Sequence, residues 1–240
     1  MKAGQAELSI AISSPNSAQR FEIFQALLQY VTDVNICDER VGLPLVQAAA
    51  RGDEQIVATL LERGAYVDAI DNQQKNALRV AAAYGDNKIV RKLLMYKADV
   101  NSIGNPMGSA LSSACYWGHE EVVRTLLNNG ANICQQFDQY HYKNALEATC
   151  HNGHEAIFRL LIEPYVESLL HRGKGSLDEC LVLACQRGHD ELVKLLLEQR
   201  VDVNVHHSSF GSPLLTASES GQEEVVRLLL DHGADVHQAW

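Results

Sequence analysis

Ten histidines and six cysteines are the side chains of this 240-residue chain best suited to metal binding or nucleophilic chemistry. The cysteines, Cys37, Cys115, Cys134, Cys150, Cys180 and Cys185, form no Cys-x-x-Cys pair and no dense cluster along the sequence, so neither a zinc site nor a disulfide framework is indicated. Three of them keep a rhythm instead. Cys115, Cys150 and Cys185 stand three residues before a glycine, where other stretches carry Ala49, Ala82 and Ser218. A small, weakly polar side chain there serves close helix packing. His119, His154 and His189 each follow one of these glycines, one period apart, which is too far for a shared metal. His151-Asn152-Gly153-His154-Glu155 has the letters of a zinc-binding helix in the wrong order, with Gly153 at a turn. Gly173-Lys174-Gly175-Ser176 has Ser168 where a phosphate loop needs its first glycine and Gly175 where it needs Ser or Thr. No Gly-x-Ser-x-Gly elbow is present and no Cys/His pair repeats a catalytic geometry. The chain is therefore expected to be no enzyme, and to hold no cofactor and no metal.

The elements that must position these residues follow from one period. Glycines stand at 52, 85, 118, 153, 188 and 221, at intervals of 33 to 35 residues. Most are followed by a similar block, as in Gly118-His119-Glu120-Glu121-Val122-Val123 and Gly221-Gln222-Glu223-Glu224-Val225-Val226, and each then by a leucine-rich close such as Leu126-Leu127 or Leu228-Leu229-Leu230. Val122, Val123, Leu126 and Leu127 make one apolar stripe of a helix of about ten residues. The acidic residues in its first turn suit the unpaired N–H groups there. Before each glycine runs a second short helical pattern, from Leu45 to Ala50 in one unit and from Leu111 to Tyr116 in another, with small residues (Ala48, Ala81, Ala114, Ala148, Ala184, Ala217) that permit close approach. Two short helices joined at a glycine cannot bury their apolar faces alone, so neighbours must stack. Gly64, Gly130 and Gly233 sit where a left-handed C-cap would close the second helix. Lys97, Tyr165 and Arg200 occupy that place elsewhere, at a small strain cost.

On these residues the chain resembles the ankyrin-repeat family, most closely in the segment from Gly118 to Asn132. The family's Thr-Pro-Leu-His opening is replaced by Leu43-Pro44-Leu45, Asn76-Ala77-Leu78, Ser109-Ala110-Leu111 and their equivalents. That flavour is similar to the long ankyrin arrays of fungal proteins, some attached to NACHT-type nucleotide-binding modules. The resemblance implies an all-α solenoid of antiparallel helix pairs with β-turn or hairpin fingers, and assigns His119, His154 and His189 to hydrogen bonding between helices. Its expected parts are a degenerate capping repeat at 1–35, repeats at 36–68, 69–101 and 102–134, one with irregular ends at 135–168, and repeats at 169–204 and 205–240. In the cap, Phe21, Ile23, Phe24, Leu27 and Leu28 should face inward. The second helix of the irregular repeat is expected to end at Glu163-Pro164-Tyr165, because Pro164 breaks the hydrogen-bond ladder, followed by an irregular connection in which Val166-Glu167-Ser168-Leu169-Leu170 could add a helical turn.

The remaining surface is the candidate site. In such arrays the concave face is built from the fingers and the ends of the first helices. It should carry Tyr84, Tyr116, Trp117, His151, Asn152 and Arg187, with Tyr140 and His141 from a finger. Asn72, Gln73, Lys75, Asn105, Lys143, Ser208 and Ser209 are further finger residues. Exposed Tyr and Trp dominate interface energies, so a protein partner is the expected ligand. The alternative is a sensor or scaffold segment of a larger signalling ATPase or enzyme whose catalytic module lies outside these residues. A net charge of −10 opposes nucleic-acid binding, and no apolar run is long enough for a membrane span. A cytoplasmic, or else nuclear, location follows. The apolar Leu228-Leu229-Leu230 close suggests self-association through the C-terminal face.

Overall fold

The computed structural model of the chain describes residues 8–12, 17–104, 108–137, 142–172, 177–207 and 210–237. They are helical with short connections, and no strand longer than an isolated bridge occurs among them. The chain divides into two compact units, Met1–Asn132 and Ile133–Trp240.

The first unit holds α1 (described over 8–12), α2 (Ser17–Leu28), α3 (Pro44–Arg51), α4 (Glu54–Glu62), α5 (Ala77–Tyr84), α6 (Asn87–Met95), α7 (Ala110–Trp117) and α8 (Glu120–Asn128). Two rows result: α5 packs between α3 and α7, and α6 packs between α4 and α8. The pattern of α8 shows why. Val122, Val123 and Leu126 are buried while Glu121 and Arg124 face water, and Glu120 and Glu121 fill the first turn. Each fully buried Leu or Val of this kind contributes about 1.5–3 kcal/mol. The first-row helices begin with caps: Pro44 at the start of α3, Asn76 accepting from Arg79 N, and Ser109 with Ser112 in a reciprocal capping box.

The second unit repeats the plan with α9 (Ala145–Asn152), α10 (Glu155–Arg172), α11 (Asp178–Arg187), α12 (Asp190–Glu198), α13 (Pro213–Glu219) and α14 (Glu223–Asp231). Here α11 packs between α9 and α13, and α12 packs against both α10 and α14.

The six periodic glycines all lie at the corner between paired helices with φ between 70° and 79°. At Gly85 and Gly153 a side chain is doubly excluded. The backbone is left-handed, and an added Cβ would come within 2.6 Å of the His119 or His189 ring of the next repeat. Those rings bond back to the preceding first helix, His119 Nε2 to Ala83 O at 3.0 Å and His189 Nε2 to His151 O at 3.2 Å. Second-helix ends close as expected at Gly64, Gly130 and Gly233, and Lys97 and Arg200 take the same left-handed turn with φ of 67° and 59°. Asparagines tie neighbouring repeats beyond these turns. The Asn101 side chain donates to Gly130 O (3.2 Å) and accepts from Asn132 N (2.7 Å), and Asn35 and Asn204 repeat the arrangement.

Three expectations are corrected. Helix α10 does not stop at Pro164 but runs on to Arg172. Proline removes one rung of the ladder, yet Leu161, Ile162 and Tyr165 around it are buried, and their packing carries the helix through. Tyr165 accordingly sits inside the helix, 2% exposed, and not at a strained cap. In the first repeat Phe24 and Leu28 are buried and Phe21 and Leu27 are partly so, but Ile23 is exposed. Leu8, Ala11 and Ile12 fill the interior alongside them. Three fingers carry isolated bridges, Asp38 with Gly42, Gly104 with Gly108 and His207 with Gly211.

Candidate functional site

In the first unit the ends of α3, α5 and α7 enclose an open cavity of about 360 Å³. Its floor is Val46, Ala50, Val80 and Ala83, and Tyr84 and Trp117 stand at its side. Both aromatics are set one residue before a corner glycine, and they are 68% and 54% exposed. Tyr116 is half-buried and meets the Trp117 ring edge-on at 5.2 Å, which supports the indole from behind. The charged residues of the lining, Lys75 and Arg79, are both basic. Arg79 is buried and donates through Nη1 to the Gln74 carbonyl (2.7 Å), holding the left-handed Gln74 of the finger in place.

The predicted residues of the second unit form a separate group. Arg187 is exposed on α11 and its Nη2 donates to His151 Nε2 on α9 at 2.7 Å. The His151 ring lies 6.5 Å from that of Tyr142. Asn152 turns back to its own helix, donating to Ala148 O. Tyr140, His141, Asn105, Ser208 and Ser209 lie outside the described residues, as does the Gly173 to Ser176 loop.

A second cavity, of about 580 Å³, was not among the sites expected from the sequence. It opens at the N-terminal ends of α9 and α11, and its lining includes Lys143, Glu147, Tyr165, Asp178, Glu179 and His207. Glu147 is 3% exposed. Its carboxylate accepts from Lys143 N (2.6 Å) and from Asn144 Nδ2 (2.7 Å), while Asn144 Oδ1 caps Glu147 N (2.9 Å). Burial pushes the Glu147 carboxyl up to about 7, with the neighbouring Glu179 charge adding to the rise and the Lys143 amide and ammonium opposing it. Glu179 is paired: Lys143 Nζ reaches its oxygens at 2.6 and 3.0 Å and His207 Nε2 lies 3.3 Å away. That bond holds the Lys143 ammonium above the usual lysine range. The signal that could have found this cavity is the third position of the first-row helices, which reads Val46, Arg79, Ser112, Glu147 and Leu215 against an otherwise steady pattern.

The cysteines form no disulfide, and Cys115, Cys150 and Cys185 are buried as packing residues. The sequence showed no cluster, but the fold brings Cys180 beside Cys150. A thiol–thiol hydrogen bond and burial hold Cys180 well above the ordinary thiol range, and burial pushes Cys185 up to about 12. Such thiols are poor nucleophiles. Among the described residues no group of three or more His, Cys, Asp or Glu side chains could hold a metal ion, and no helix is long and apolar enough to cross a membrane.

Comparison with known proteins bears on the fold that carries these residues. A family model described as ankyrin repeats (3 copies) matches residues 8–104 and 146–239, and a second, ankyrin repeats (many copies), matches 111–162. Among solved structures the chain is similar to the human ASB11 ankyrin repeat domain, at 26% identity and a TM-score of 0.68, over 81% of this chain and 86% of that one. Comparison with curated proteins finds no match.

Proposed function

Because the chain belongs to the ankyrin-repeat family, whose repeats mediate protein–protein interaction, we propose that it binds a protein partner through the face formed by its first helices and fingers. In the first unit Tyr84 and Trp117 are the anchors, with Tyr116 as their support. In the second, Arg187 and His151 contribute a polar, donor-rich patch that Asn152 helps to shape; Tyr140 and His141, outside the described residues, stay candidates on the sequence alone. The observation that carries this reading is the pair of large aromatic side chains held exposed beside an apolar cavity. Rigid aromatics with much of their surface in water, next to a hollow, are the groups that gain most from a partner's burial. Lys75 and Arg79 give the cavity a basic lining within an acidic chain, which favours a partner segment carrying an apolar side chain next to a carboxylate.

Photocrosslinking from two positions tests the assignment. A benzophenone side chain placed at Trp117 should capture a partner, whereas the same group at Met95, more exposed but on the second row, should not. Equal capture from both positions, or capture from Met95 alone, would contradict it.

A further inference from the structure

We infer that copies of this chain stack head to tail, with α13 and α14 of one copy covering α2 of the next. The internal repeats show what such stacking requires. The fourth residue after a corner glycine, Ile56 and Ile89 in the first unit and Leu192 and Val225 in the second, is buried. One period before Ile56 the same place in α2 is held by Ile23, which is 41% exposed. The fifth residue behaves in the opposite sense. Phe24, Val57 and Val193 are buried there, whereas Val226 in α14 is half-buried. A fourth-position side chain is therefore covered by the repeat before it and a fifth-position side chain by the repeat after it; α2 lacks the first cover and α14 the second. Around Val226 the open face continues. Leu214 is half-buried where Leu181 is buried, and Leu230 is 42% exposed. Among the described residues nothing lies within 4 Å of a carbon added at Gly221, while the same carbon at Gly188 would meet Gln222 of the following repeat.

The match between the two faces selects the occupant. They are the two halves of the contact that the chain already makes between its own repeats, so the face of α14 suits a helix with the pattern of α2. Charge agrees with that register. Arg91 on α6 lies 3.5 Å from Glu121 on α8. Arg227 stands at the place of Arg91 in its own repeat and Glu22 stands three periods before Glu121, so stacking sets Arg227 beside Glu22 of the next copy. Pairing two α14 faces with each other would instead bring Glu223, Glu224 and Asp231 against their own kind, which is repulsive. A head-to-tail contact does not close on itself and builds open chains or a ring. Few apolar side chains take part, so association is weak and rises with concentration. Neither Tyr84 nor Trp117 is used, and the contact is independent of the partner surface proposed above.

The test is sedimentation velocity of the full chain from micromolar to near-millimolar protein. The wild-type sedimentation coefficient should rise continuously with concentration. Ile23→Asp and Leu230→Asp alter side chains already open to water, so each variant should keep its thermal midpoint, and each alone should stay a monomer. Mixed in equal amounts they should form a dimer that grows no further, because the mixture holds one intact pair of faces, α14 of the Ile23→Asp chain and α2 of the Leu230→Asp chain. Arg227→Glu should weaken wild-type association by about threefold, and adding Glu22→Arg to the same chain should restore it. A wild-type chain that is monomeric throughout would overturn the proposal and leave the face to a different protein. Self-association of either variant alone, which indicates pairing of like faces, would overturn it too, as would a mixture that stays monomeric or a charge reversal that is not restored.

Discussion

At Glu147 a carboxylate that would ordinarily sit in water at a helix start is buried and loses its solvent. Its neighbours supply hydrogen bonds but not enough positive charge, because Lys143 is held by Glu179. The sign of the consequence is fixed. A carboxyl whose pKa rises from 4.5 to about 7 on folding binds more protons in the native state over that interval. Its contribution to stability is therefore complete below about pH 4.5 and is lost as pH rises through 7. Urea unfolding of the wild-type chain should show stability falling from pH 5 to pH 8, by up to about 2–3 kcal/mol from this group. Glu147→Gln should remove most of that slope, and parallel slopes in the two proteins would contradict the assignment. Residues of this kind were not legible in the sequence. Glu147 looks like an ordinary acidic residue in a helical first turn, and its burial comes only from contacts made in the folded chain. The exposure of Trp117 and Tyr84 was legible, because each stands one residue before a corner glycine, outside the apolar pattern of its helix.

At the scale of the elements, the helix pair and its corner were legible because a left-handed corner packed against the next repeat excludes any Cβ. The prediction belongs to Gly85 and Gly64. Gly85→Ala forces both a left-handed alanine and a collision with the His119 ring, which costs the His119 bond to Ala83. A loss of about 2–4 kcal/mol is expected. Gly64→Ala has a similar φ of 82° but nothing within 4 Å of the added carbon, so only the backbone cost of about 1 kcal/mol applies. Chemical denaturation of the two variants should separate them, and equal losses would show that inter-repeat contact at the corner contributes nothing. The path of α10 was misread for a physical reason: a proline's local penalty was weighed without the burial of Leu161, Ile162 and Tyr165, which becomes visible only when α9, α11 and α12 are in place. The asparagine ties between repeats were equally hidden, since Asn101 and Asn204 read in the sequence as ordinary turn residues.

For the molecule as a whole, the period of the glycines determined the architecture, and the fold agrees with it in each unit. What periodicity cannot specify is the face that departs from it, and function lies there. Core positions repeat because each must fill the same hole, whereas surface residues such as Tyr84, Trp117 and Arg187 differ from repeat to repeat and are free to fit a partner. The most direct measurement is titration calorimetry of the captured partner against two double variants. Tyr84→Ala with Trp117→Ala should weaken binding by at least about tenfold while leaving the thermal midpoint nearly unchanged. Lys88→Ala with Arg91→Ala, exposed on α6 in the second row, should leave affinity as it was. Unchanged affinity in the aromatic variant, or its loss in the α6 variant, would place the interaction on another surface.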